Sequence, residues 1–329
     1  MISKEEFKTY IDSLIPAETQ KKITQEKNMA NYIGLSFIIL GLALVFVFML
    51  LLFINLRNRN SNAFLYAIGV FFSFILFAIG AIYKSFKSKT LHTIERTHMD
   101  EIIAKLLEGQ KFDYNKNSYI DARIFKESGF IYADYANAIN KYNGEDCLAL
   151  FIPFSANGKN SSEVVLVVSD VCAQEEYIET DENGNETTKI RTYYDGAFGY
   201  ITFPFAFGSN IFINAYSRGK AEKVSLEDIE FNKRFKIYSN DQLGARVVLT
   251  PDVMQKLKLL EYRFKSLKVA MVGNRMYFGA PHRNLFNIKT GTKTFSSENF
   301  MQIYDDVFAI LALVNEIKNN DKIFKKEGK

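Results

Sequence analysis

Tryptophan is absent from this sequence, and the residues that usually carry chemistry are scarce: two Cys, three His and five Pro in 329 residues. Two cysteines, Cys147 and Cys172, exclude a disulfide-stapled scaffold. In or beside strands they read as small hydrophobes, and no CxxC supports redox or zinc chemistry. His92-Thr-Ile-Glu95-Arg-Thr-His98 lacks the i, i+4 histidines of the HExxH zinc pattern, and His282 has no local partner, so no metal is expected. GxxxxGK[ST], GxGxxG entering a helix and GxSxG are all missing, so no cofactor and no catalytic residue is assigned. A net charge of +4 is too weak for a nucleic-acid binder. Charged residues at 24% exclude a many-helix transporter, and 48% hydrophobic residues exclude disorder.

Charge is also unevenly spread. None occurs between Lys27 and Arg57, nor between Arg59 and Lys84. Each gap exceeds the roughly 20 apolar residues that cross a bilayer. Two spans are expected, at about 32–56 and 63–83, forming a transmembrane hairpin over 31–84. The first run is too long for a signal peptide and lacks a small-residue cleavage site. Neither run has the polar stripe of a core helix. The connector 57–62 places both flanks on one side. Lys21, Lys22, Lys27, Lys84, Lys87 and Lys89 outnumber Arg57 and Arg59, so both termini are expected in the cytoplasm. Up to residue 89, ten basic and five acidic side chains leave +5; beyond it, 31 and 32 leave −1. The mild basicity therefore belongs to the span flanks. Gly34, Gly41, Gly69 and Gly80 allow close helix approach without forming a GxxxG pair. Tyr32, Tyr66 and Tyr83 suit the membrane interface.

Outside the spans, residues 1–30 read as a cytosolic helical segment with Phe7, Ile11, Leu14 and Ile15 on one face. Residues 85–117 read as a juxtamembrane helical connector, with helix from Thr90 to Gly109. Residues 118–317 read as a soluble domain, and 318–329 as a charged tail. In the domain, helix is expected at 118–127 and a turn at Asn143–Gly144. Strands are expected at 147–154, 163–169, 197–207, 210–216, 233–238 and 244–249, with a long hairpin turning at 181–186. Thr250-Pro251-Asp252 starts a helix with Val253, Leu257, Leu260 and Phe264 inward. A tight hairpin joins 267–272 to 275–278, and a last helix begins near Ser296. The order predicts an α+β domain with a mainly antiparallel sheet and flanking helices.

Arg246 is the candidate site residue. On a strand otherwise apolar it needs a carboxylate, from Asp241 or Glu230, as a structural ion pair or as an anion-binding group. The pairs Glu145–Asp146, Glu227–Asp228 and Asp305–Asp306 read as turn, helix-start and helix-surface acids, because sequence neighbours diverge.

Three stretches resemble a bacterial membrane-protein family known as domain of unknown function 3137. They are the paired spans, Tyr142-Asn-Gly-Glu-Asp146, and Glu230-Phe-Asn-Lys-Arg-Phe-Lys-Ile-Tyr-Ser-Asn-Asp241 with Ala245-Arg246 and Leu249-Thr-Pro-Asp252. The last continues to Tyr277-Phe278 and Leu285-Phe286, and Tyr193–Gly199 is similar to the family's aromatic-glycine run. The resemblance covers most of 1–315. Gly244 departs from the acid that the family shows there. The resemblance implies topology and architecture but no activity. Residues and resemblance together lead to a non-enzymatic scaffold, sensor or partner-binding module of the bacterial inner membrane. Its expected partners are the lipid bilayer and a protein, compatible with a homo-oligomer and without nucleic acid. The alternative is a membrane-tethered enzyme or small-molecule sensor with an anion site at Arg246.

Overall fold

The computed structural model describes residues 2–57, 63–155, 161–216, 221–287, 297–320 and 323–324. It divides into two compact units: 8–99 with 289–299, and 1–7 with 100–288 and 300–329.

The first unit is dominated by two helices. Helix α1 (Lys4–Leu14) leads to Pro16, after which α2 runs over Ala17–Arg57 and α3 over Ala63–Leu106. Both are long because nothing interrupts them: no proline lies between Pro16 and Pro153. Glycines do occur, but at the helix crossing, where they have a use. A Cβ on Gly41 would stand 2.8 Å from the backbone nitrogen of Phe77, and one on Gly80 would stand 2.8 Å from Gly34 O. A Cβ on Gly69 would stand 2.6 Å from the Phe48 ring, so all four glycines noted in the sequence sit where the helices touch, with Gly34 supplying the carbonyl. Ala17–Leu56 and Phe64–Tyr83 are long and apolar enough to cross a membrane. Their outward side chains are not covered within the protein: Phe46 is 71% exposed and Phe53 66%. The connector 58–62 and the side chains of His92 and Glu95 lie outside the described residues.

The second unit is built on a nine-stranded sheet in the order β1-β2-β3-β4-β9-β8-β5-β7-β6, antiparallel throughout. In chain order it comprises β1 (Lys111–Asn115), α4 (Ala122–Glu127), α5 (Ala133–Ala138), β2 (Lys141–Ser155), β3 (Ser161–Thr180) and β4 (Glu186–Thr202). There follow β5 (Ile211–Ile213), β6 (Glu222–Lys223), α6 (Ile229–Arg234), β7 (Ile237–Ser239), α7 (Gln242–Val248), α8 (Pro251–Phe264), β8 (Lys268–Val272), β9 (Arg275–Pro281) and α9 (Glu298–Lys318). The fold is α+β, as expected. On one sheet face Phe125 of α4 meets Tyr194 and Phe198 edge-on at 5.0 Å each, and Phe130 and Tyr277 complete the cluster. Such perpendicular ring pairs place a positive ring edge on a negative face. The alternating residues Leu166, Val168, Ile201, Met276 and Met271 point the other way and are also buried, so the sheet is covered on both faces. Within this unit, Phe7 packs on Tyr304 at 5.5 Å and Lys4 pairs with Asp305 at 2.7 Å, tying the start of α1 to α9.

Four local expectations are corrected. Residues 244–249 form most of α7 instead of a strand. Asp241 accepts from the N–H groups of Leu243 and Gly244, capping the helix, and burial of Ala245, Val248 and Leu249 with Val247 exposed is helical spacing. Asn143–Gly144 lies inside β2. The irregularity falls two residues later, between Glu145 and Leu148, where Asp146 takes φ 61°. Gly144 is needed for contact: a Cβ there would stand 2.5 Å from Asp170 O. The expected strand 233–238 begins as helix α6, capped by Asp228 through the Phe231 N–H, and only 237–239 is strand. Beyond Thr202 the expected strand 197–207 dissolves, leaving one bridge from Phe207 to Phe324.

Candidate functional site

Arg246 lies on α7, and its carboxylate neighbour is Glu227, not Asp241 or Glu230. The Arg246 side chain is 42% exposed, 3.6 Å from Glu227 and 3.1 Å from Ser225 O. Asp241 caps α7, and Glu230 pairs with Arg234 at 2.8 Å and approaches Lys258 at 3.7 Å. The three residues are therefore not brought together as one site. Gly244 fits the cap tightly: a Cβ would stand 2.5 Å from Asp241 Oδ2, so an acid at that position needs a rearranged cap. Burial pushes the Cys147 thiol up to about 11 and raises Cys172 as well, which suppresses the thiolate that a nucleophile requires.

Two of the acids set aside in the sequence are buried. Asp306 accepts from Arg263 Nε at 2.7 Å and from Arg283 Nη2 at 2.5 Å, one carboxylate clamped by two guanidiniums. Asp146 accepts from the Tyr114 hydroxyl at 2.5 Å. Asp170, which nothing in the sequence marked, lies opposite Glu145 in the sheet. It accepts from the N–H groups of Leu285 and Phe286 at 2.8 and 3.2 Å. Burial pushes its carboxyl up to about 7; those two donors oppose the shift, and Asp146 and Glu145 add to it. Asn287 donates to Glu145 at 3.1 Å. The segment after β9 is thus latched over the β2 irregularity by two acids. These contacts are internal, and they describe a structural latch.

The surface offers something different. Tyr132, Tyr135 and Tyr216 are each about half exposed, with rings 6.1 Å apart for Tyr132–Tyr135 and 5.9 Å for Tyr132–Tyr216. Tyr135 stacks on Tyr193 at 5.3 Å. The Tyr193 hydroxyl donates to Glu175 at 2.6 Å, Arg191 pairs with the same carboxylate at 3.3 Å, and its guanidinium lies 5.0 Å from the Tyr177 ring. The result is a continuous array of five tyrosines and an arginine running from α5 onto the β3–β4 hairpin. The short helix α5 positions Tyr132 and Tyr135, while Ala133 and Ala136 leave a cleft of about 250 Å³ beside Tyr132 and Tyr216. The Tyr-Ala-Asp-Tyr run at 132–135 was the available signal, but six residues are too short a helix for periodicity to announce. Two interaction-prone residue types, Tyr and Arg, are concentrated here without being buried.

Residues 192–319 match the model of a family described as Protein of unknown function (DUF3137). The matched stretch runs from the middle of β4 through α9, so the two long helices and the Tyr142–Asp146 stretch lie outside it. No curated protein and no solved structure matches the chain.

Proposed function

Since residues 192–319 belong to the DUF3137 family, whose description names no activity, we propose a role from geometry: a two-helix membrane anchor carrying a domain that docks a protein partner. The observation that carries the anchor is the pairing of α2 and α3. They approach closely through Gly41 and Gly80, yet their outward Phe, Leu and Ile side chains are left without protein cover. A helix in hydrocarbon satisfies its own backbone, and lipid supplies the missing contact. The lysine bias supports cytoplasmic termini in a bacterial inner membrane. The tyrosine array supports the docking role: aromatic rings bring large contact area at low entropic cost. This favours a scaffold or sensor over an enzyme.

Two measurements test the reading. A cysteine placed in the 57–62 connector, probed with a membrane-impermeant maleimide on intact cells, is expected to label from outside; labelling only after lysis reverses the topology. A photo-crosslinking residue at 135 is expected to yield a discrete adduct that is absent when the probe stands at 262. Tyr262 is 78% exposed and lies outside the array. Equal adducts at both positions overturn the docking surface.

A further inference from the structure

The rings of the tyrosine array follow one another at a regular interval. Tyr216, Tyr132, Tyr135 and Tyr193 are spaced 5.9, 6.1 and 5.3 Å apart. Tyr132 stands at 69° to Tyr216 and at 66° to Tyr135, so an open corner lies on either side of its ring. Neighbouring rings touch, so a partner lies over them and not between them. Tyr132, Tyr135 and Tyr216 are each about half exposed, which leaves that outer side available.

The polar groups here are rich in donors. Lys126 and the Asn137 amide line the cleft together with Tyr132 and Tyr216. An ammonium only donates, and amide and phenol groups donate as well as accept. No residue lining the cleft belongs to a strand, so it offers no sheet edge for an added strand. A helical partner satisfies its carbonyls within itself and leaves such donors unused. A polyproline II segment has no internal hydrogen bonds and keeps its carbonyls free. It rises about 3.1 Å per residue, so about two of its residues pass each ring interval. Charge selects further. Among the described residues that line the cleft, Lys126 is the only charged one. Behind Tyr216, the Lys268 ammonium lies 5.5 Å from the ring and donates to Phe130 O and Asn214 O, both neutral. Burial alone shifts this ammonium, downward, as for a cation withdrawn from water without a counter-ion. The cleft is thus positive, and Coulomb attraction reaches an acidic residue above it without contact.

We infer that the partner docked here is an extended proline-rich segment in the polyproline II conformation, with prolines in the corners beside Tyr132 and an acidic residue over the cleft. The inference rests on the docking role proposed above and names the chemistry of the partner.

The test uses the full chain in detergent micelles and three fluorescein-labelled probes followed by anisotropy: Glu followed by an octaproline, Lys followed by an octaproline, and Glu followed by a Gly-Ser repeat of equal length. The Glu-octaproline probe is expected to bind saturably. The Gly-Ser probe is expected to bind about tenfold or more weakly, because it must lose the freedom that a polyproline II segment lacks already. The Lys probe is expected to bind about threefold or more weakly, as for a reversed charge at a partly exposed site. Tyr132→Ala is expected to weaken the Glu-octaproline probe about tenfold, as for loss of an aromatic anchor. Lys126→Gln is expected to diminish the preference over the Lys probe, and Tyr262→Ala to change nothing. Hydroxyl-radical footprinting of the unaltered protein keeps the test independent of how the variants fold: the Glu-octaproline probe is expected to protect Tyr132 and Tyr135 and to leave Tyr262 unprotected. No saturable binding of that probe, equal binding of either control probe, full affinity in a folded Tyr132→Ala, an undiminished preference in a folded Lys126→Gln, or no footprint at Tyr132 and Tyr135 each overturns the inference. If residue 135 nevertheless yields its discrete crosslinked adduct, the docking role stands and only the polyproline partner falls; if that adduct is missing too, both fall.

Discussion

Helices α2 and α9 are both rich in apolar residues and differ in where those residues go. In α9, Phe300, Ile303, Val307, Ile310, Val314 and Ile317 are buried, and the exposed positions include Gln302, Asn315 and a partly covered Phe308. In α2 the apolar residues continue around the whole circumference, and Leu40, Phe46, Leu50 and Phe53 face outward uncovered. The first pattern is an amphipathic helix whose solvent is the protein core on one side and water on the other. The second pattern needs one apolar solvent all round. Composition alone would rank the two helices together; the distribution around the axis separates them.

The sharpest way to break this comparison is to truncate one phenylalanine in each. Phe300→Ala is expected to cost about 3–5 kcal/mol, the usual range for emptying a core aromatic site, whereas Phe46→Ala is expected to leave denaturant stability in micelles within about 0.5 kcal/mol. A large loss at Phe46 would mean that this side chain is buried against something. A similar contrast separates buried from exposed charge. Asp306→Ala strands the Arg283 guanidinium and leaves Arg263 only its 3.5 Å contact with Asp305, and is expected to cost about 3–5 kcal/mol. Glu227→Ala breaks only the solvent-exposed Arg246 pair, and the expected change is under about 1 kcal/mol. Equal effects would return Arg246 to the centre of the molecule.

Asp170 gives the sheet unit a pH dependence that α2 cannot have. Burial raises its folded carboxyl from the ordinary carboxylate range to about 7, so between the two the folded state holds a proton that the unfolded chain has released. That stabilisation is full below the unfolded value and is lost as pH rises through about 7. The thermal midpoint is therefore expected to be higher at pH 6 than at pH 8, and Asp170→Asn should flatten this slope. An unchanged slope in the variant would assign it to another group. A modest effect is expected at the α8 cap. Thr250→Ala removes the hydroxyl that accepts from Val253 N at 3.3 Å, for about 1 kcal/mol by denaturation. No change would mean that water replaces the cap.

Much of the fold was legible where one physical rule acts alone. The spacing of Val253, Leu257, Leu260 and Phe264 marks one helix face, and all four are buried. Thr250-Pro251-Asp252 starts α8, and Gly273 with φ +60° turns β8 into β9. Elements failed where two rules compete over few residues. Ala-Arg-Val-Val-Leu has strand composition, and the carboxylate of Asp241 decided for helix. Asn143–Gly144 has turn chemistry, and the backbone of Asp170 on the neighbouring strand required the glycine instead.

The candidate sites divide in the same way. The sequence by itself determined two long uncharged apolar stretches, an antiparallel α+β domain after them, and a basic bias confined to the flanks of those stretches. These follow from local periodicity and composition, which any stretch carries within itself. Only the tertiary structure decided that Arg246 is matched by Glu227, that Asp170 and Asp306 are buried, and that tyrosines from α5, β3, β4 and the loop after β5 form one surface. Each of those is a distance between residues far apart in the chain. Charge compensation and burial depend on that distance, and no spacing along the sequence encodes it.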